Sequence, residues 1–126
     1  MDKHMILSLF HVILIFPILM WISLSRAATP EWLYTTLLIT GCIILAYHGY
    51  KFITRFLSGS SYAWVNAIHV FVISILLIII GWKKKETPRM YYELLLLVTF
   101  GGIGYHLFSL VRSLDVHNEK VLDHTQ

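Results

Sequence analysis

Cysteine and charged residues are scarce in this sequence. Among its 126 residues there is one cysteine, Cys42, and only 13% of the residues are charged, about half the share in an average soluble domain. One cysteine excludes an internal disulfide, a CxxC redox pair and a four-cysteine zinc site. P-loop, GxSxG and HExxH motifs are also missing from the sequence. The sequence therefore does not indicate a nucleotide-driven pump or a hydrolase, and an enzyme is not expected.

Apolar residues take the place of the missing charge and make up 57% of the sequence. They form four segments of about 20 residues or more, the length needed to cross a bilayer. These segments are residues 5–24, 32–53, 62–82 and 90–111. The sequence predicts an all-α polytopic membrane protein, a bundle of four transmembrane helices in the lipid bilayer. We expect the polar tail, residues 113–126, to fray or to lie on the membrane surface.

The net charge of +3 does not indicate a nucleic-acid partner. The basic residues stand at the ends of the apolar segments, where they contact lipid headgroups. Four crossings put the N- and C-termini on the same side of the membrane, which we call the terminal side. Basic residues are equally numerous on the two sides, so the positive-inside rule does not orient the chain. A homo-oligomer and a subunit of a larger membrane complex both fit this pattern.

The second half of the sequence resembles the first half when the chain is shifted by 58 residues. Thr29-Pro30 then falls on Thr87-Pro88, and Tyr47-His48 falls on Tyr105-His106. Such a period indicates duplication of one structural unit. We predict a helical hairpin at residues 1–58 and a second at residues 59–112. Each hairpin crosses the membrane twice, so the two are parallel repeats related by an axis along the membrane normal.

Four histidines are predicted at one depth in the bundle, each roughly 9–10 Å from the terminal side at 1.5 Å per residue. They are His11, His48, His69 and His106. Each has a polar neighbour three residues away, on the same helix face. These neighbours are Ser8, Lys51, Asn66 and Ser109. Polar side chains in a transmembrane helix usually face the bundle interior. The sequence therefore predicts a polar vestibule lined by these eight residues.

Several functions fit such a vestibule. Two histidines on facing helices could ligate haem b, with Lys51, Arg55 and Arg112 near its propionates, for electron transfer. Glycines would leave room for the macrocycle or serve close helix packing; they are Gly41, Gly101, Gly102 and Gly104. Alternatively, the four imidazoles could bind a bare transition-metal ion. A small channel or transporter for ions, protons or solutes, and a structural or assembly subunit, are further hypotheses.

Overall fold

The computed structural model describes residues 2–124, which form four long helices and no strand. The helices are α1 (Lys3–Ala28), α2 (Glu31–Leu57), α3 (Ala63–Glu86) and α4 (Arg89–His124). All four contain a stretch that is long and apolar enough to cross a membrane. The all-α fold with four such helices is therefore confirmed. Helices α1, α2 and α3 are each a few residues longer than the apolar segments that predicted them, and α4 is much longer.

The polar tail does not fray within the described residues. Helix α4 continues without a break through residues 113–124 and is 36 residues long, about 54 Å at 1.5 Å per residue. No glycine or proline follows Arg112, so the sequence has no residue that would stop the helix. The expectation of a frayed tail, which was based on polarity alone, is wrong for this stretch. Residues 125 and 126 of the predicted tail lie outside the described part of the chain.

The α1–α2 and α3–α4 corners are built in the same way. Helix α1 ends in a 3₁₀ turn at Arg26–Ala28, and α3 ends in one at Lys84–Glu86. The first residue of each turn has a positive φ, 51° at Arg26 and 52° at Lys84. Such a conformation is uncommon for a residue other than glycine. A Thr-Pro pair follows each turn, and α2 and α4 begin directly after its proline.

A contact between two tyrosines joins the corners. The hydroxyl of Tyr34 donates to the carbonyl oxygen of Arg26 (2.8 Å), and the hydroxyl of Tyr92 lies 3.2 Å from the carbonyl oxygen of Lys84. The two hydroxyl oxygens are 2.7 Å apart. Both tyrosines are buried, at 0% and 2% exposure. Each residue of this contact has its counterpart 58 positions away in the chain.

The helices pack in two pairs, α1 with α4 and α2 with α3. Buried apolar residues from all four helices form one core in the half of the bundle near the Thr-Pro corners. The core consists of Phe16, Leu19, Ile22, Leu33, Tyr34, Leu37, Leu76, Leu77, Ile80, Tyr92 and Leu95. This core joins the two pairs at the corner end. The opposite end of the bundle contains the histidines and a large cavity.

Candidate functional site

The four histidines form two stacked pairs. The rings of His11 and His106 are 4.4 Å apart between centroids and nearly parallel, at 8°. The rings of His48 and His69 are 4.3 Å apart at 16°. The first pair joins α1 to α4 and the second joins α2 to α3, so each pair of packed helices contains one pair of stacked histidines.

His11 and His69 have the same hydrogen-bonding pattern. The Nδ1 of His11 is 2.8 Å from the carbonyl oxygen of Leu7, and the Nδ1 of His69 is 2.7 Å from the carbonyl oxygen of Val65. A carbonyl only accepts, so Nδ1 carries the proton and donates. In the neutral ring, Nε2 then keeps its lone pair. Within residues 2–124, neither Nε2 has a hydrogen-bond partner and neither is sealed from the surroundings.

Their stacked partners are held by polar side chains of the opposite helix. The Nδ1 of His106 lies 3.3 Å from the Oγ of Ser8, and the Nδ1 of His48 lies 3.0 Å from the Oδ1 of Asn66. Both polar residues are buried, each at 3% exposure. Ser8 and Asn66 are the residues three positions before His11 and His69. Each therefore fixes the imidazole that stacks on the histidine of its own helix.

His11 and His69 each begin a π-helical turn, at His11–Ile15 and His69–Ser74. Single π turns inside α-helices occur frequently at functional sites. Pro17 follows the turn in α1, whereas Ile75 occupies the corresponding position in α3. Proline therefore does not account for both turns. Sequence reasoning missed these turns, because neither segment has a composition that distinguishes it from an ordinary α-helix.

An open cavity of about 1100 Å³ lies next to the histidines. Its lining comes mainly from α1, α3 and α4, with Arg55 from the end of α2. Of the residues singled out from the sequence, seven line it, namely Ser8, His11, Arg55, His69, His106, Ser109 and Arg112. Three lie outside the lining. His48 and Asn66 bond to each other, and the Nζ of Lys51 is 6.0 Å from the ring centroid of Tyr47.

Two of the four glycines serve helix packing, and none serves the cavity. A Cβ on Gly102 would be 2.6 Å from the ring of Phe16, and a Cβ on Gly41 would be 2.8 Å from Ile78. Both positions allow a side chain of another helix to approach closely. Gly101 and Gly104 have open space around them. None of the four glycines lines the cavity.

The two stacked pairs do not form one metal centre. Within residues 2–124, no three side chains of histidine, cysteine, aspartate or glutamate are grouped so that they could hold an ion. Nitrogen lone pairs lie in the plane of an imidazole ring, so the lone pairs of two stacked, nearly parallel rings do not converge on one ion. This arrangement does not provide the four converging imidazoles of a tetrahedral ion site.

Comparison of the chain with protein-family models, with curated proteins and with solved structures finds no match. The functional argument therefore depends on the geometry of the site.

Proposed function

We propose that the chain is an integral membrane protein that binds one haem b through His11 and His69 and serves electron transfer. Its four helices have the length and apolar composition that a crossing requires. Large apolar side chains are exposed on its outside, among them Ile13 (70%), Trp82 (76%) and Phe108 (66%). Extended apolar surface of this kind favours contact with lipid rather than with water.

Tandem duplication of a two-helix hairpin produced this bundle, from residues 1–58 and 59–112. Support comes from matched features 58 residues apart, which are the corner turns, the π turns and the stacked histidine pairs. The Tyr34–Tyr92 contact adds to it. In a two-fold arrangement, a residue touches its own counterpart only near the axis. The pseudo-two-fold axis therefore passes between these hydroxyls, along the membrane normal.

The matched geometry of His11 and His69 carries the haem proposal. Both line the cavity, one from each helix pair, and both keep Nε2 available while Nδ1–H donates to a backbone carbonyl. A carbonyl partner of this kind is the usual support of a metal-bound histidine. His11 and His69 would be the two protein ligands of the iron in a bound haem. Bound haem supplies one-electron redox chemistry.

Charges in the cavity suit the two carboxylates of haem. The lining contains the side chains of Arg55, Arg112 and Lys120, and its described acidic member is Asp2. Arginine binds carboxylates with charge-assisted hydrogen bonds. Arg55 and Arg112 would hold the propionates of a bound haem, and His11 and His69 would hold its iron. Lys51 is not part of this proposal, because it lies outside the lining.

The shape of the cavity favours a bound ligand over a path for solutes. The lining includes three of the four histidines but no residue of the core near the Thr-Pro corners, where Leu37, Leu77 and Leu95 are almost fully buried. A channel or transporter needs a route past this core. A purely structural role gives no reason for two equivalent histidines to leave Nε2 free on a cavity wall.

The proposal is tested by titrating the purified full-length protein with haem in mild detergent. The wild type should bind one haem per chain and give a six-coordinate, low-spin absorption spectrum. His11→Ala and His69→Ala should each lose the low-spin spectrum and bind haem at least about tenfold more weakly, since even loss of an outer partner costs that much.

His117→Ala is the matched control, because His117 is exposed and lines the same cavity. This variant should bind haem like the wild type. Equal binding by all the variants would rule out His11 and His69 as ligands. A wild type that binds no haem would overturn the haem proposal and leave transport or a structural role.

A further inference from the structure

His106 and His48 carry no assigned role in the haem proposal, although each is the nearest ring neighbour of an axial ligand. They stack on His11 and His69 at 4.4 and 4.3 Å, with nearly parallel planes. An axial imidazole can rotate about its bond to iron unless neighbouring groups hold its plane. A ring stacked against it at this distance blocks that rotation. The structure therefore contains a device that sets the orientation of each ligand.

The stacked rings are themselves fixed. His106 is 7% exposed and bonds to buried Ser8, and His48 bonds to buried Asn66. Phe16 supports the first pair, with its ring centroid 5.6 Å from that of His106 and 6.0 Å from that of His11. A side chain with packed faces and a bonded Nδ1 has few alternative rotamers. The orientation that it imposes on its neighbour is correspondingly well defined.

We propose that His106 and His48 are positioning residues that fix the ring planes of the haem ligands His11 and His69, and that Ser8 and Asn66 hold them in place. This inference rests on the proposed function. It distinguishes two histidines that ligate iron from two that orient the ligands. His48 lies outside the cavity lining, which agrees with a supporting role for that ring.

The test measures electron paramagnetic resonance of the oxidised, haem-loaded protein, because the principal g values of low-spin iron depend on the planes of its axial imidazoles. Ser8→Ala should keep one haem per chain but shift and broaden the g values. His106→Ala should do the same to a greater extent. His106→Phe, which restores a flat ring, should recover a narrow signal close to that of the wild type.

Ser61→Ala is the matched control for the loss of a serine hydroxyl, since Ser61 is exposed and lies outside the cavity lining. Its signal should equal that of the wild type. Unchanged g values in haem-loaded Ser8→Ala and His106→Ala would overturn the positioning role and leave the haem site intact. Loss of the low-spin state in His106→Phe would make His106 a ligand instead. Failure of the wild type to bind haem would overturn the haem site itself, and the positioning role with it.

Discussion

Hydrogen bonds of single residues hold the corner end of the bundle together, and the hydroxyl of Tyr34 takes part in more of these bonds than that of Tyr92. Two hydroxyl protons serve three close contacts. In the arrangement that uses the two shortest contacts, Tyr34 donates to the carbonyl of Arg26 and Tyr92 donates to the hydroxyl of Tyr34. The carbonyl of Lys84 already accepts from the backbone N–H and the hydroxyl of Thr87. Removing the hydroxyl of Tyr34 therefore breaks two short bonds, and only Tyr92 then has a replacement, its longer contact with the carbonyl of Lys84 at 3.2 Å. Removing the hydroxyl of Tyr92 breaks one short bond.

We predict that Tyr34→Phe lowers the free energy of unfolding by about 1–3 kcal/mol, and Tyr92→Phe by about half as much. Thermal unfolding in detergent measures both changes. Tyr50→Phe is the control, because Tyr50 is 67% exposed and has no hydrogen-bonded hydroxyl among the described residues. Equal losses for the two buried tyrosines, or a loss for the control, would contradict this proton arrangement.

Residue-scale prediction from the sequence had a clear limit. Sequence spacing drew attention to the four histidines and to Ser8 and Asn66, because polar residues are conspicuous in apolar helices. Stacking could not be predicted, since it depends on the rotation of each helix about its axis. Lys51 shows the same limit. It lies three residues from His48 in sequence, yet its side chain is near Tyr47 and outside the cavity.

At the scale of helices, two helices can pack closely where one of them has a small residue, and these contacts decide which helices pair. A Cβ on Gly81 would be 2.5 Å from the backbone nitrogen of Leu38 and 2.8 Å from its Cα, so α2 and α3 touch backbone to backbone at this point. Gly104 in α4 is exposed and has nothing within 4 Å of its own Cβ position. The two glycines therefore allow a matched comparison of the same substitution.

Gly81→Ala should destabilise the protein by about 1–3 kcal/mol, because the added methyl group forces two helix backbones apart. Gly104→Ala should be neutral or stabilising by up to about 1 kcal/mol, from the better helix propensity of alanine. Thermal unfolding of the two variants and the wild type in one detergent compares them. If Gly81→Ala were as stable as Gly104→Ala, the α2–α3 contact would not be as close as described.

The four helices could be predicted from the lengths of the apolar segments, but the π turns in α1 and α3 and the end of α4 could not. Each of the four segments has enough consecutive apolar residues to form a long helix whatever it packs against. The π turns at His11 and His69 depend on how α1 and α3 pack, so the composition of these helices does not predict the turns. The continuation of α4 to His124 was missed for a different reason, because polarity was taken as a sign of fraying although no helix-breaking residue is present.

On the scale of the whole molecule, helix number could be predicted and helix pairing could not. The repeat predicts four helices but does not say which of them pack together, and the tight pairs are α1 with α4 and α2 with α3. All four helices are apolar, so hydrophobicity does not choose partners among them, and packing of individual side chains does. Phe16 against Gly102 and Leu38 against Gly81 are such contacts. The resulting arrangement gives one histidine pair to each side of the bundle.

The central claim is that His11 and His69 hold one haem between the two helix pairs. The most direct measurement is the iron and haem content of the wild-type protein, purified in mild detergent from cells supplied with haem. Our account predicts close to one iron per chain, all of it as haem, with the absorption spectrum of low-spin, bis-histidine iron. Intact protein that repeatedly contains neither iron nor haem, or that carries zinc or copper in their place, would contradict it.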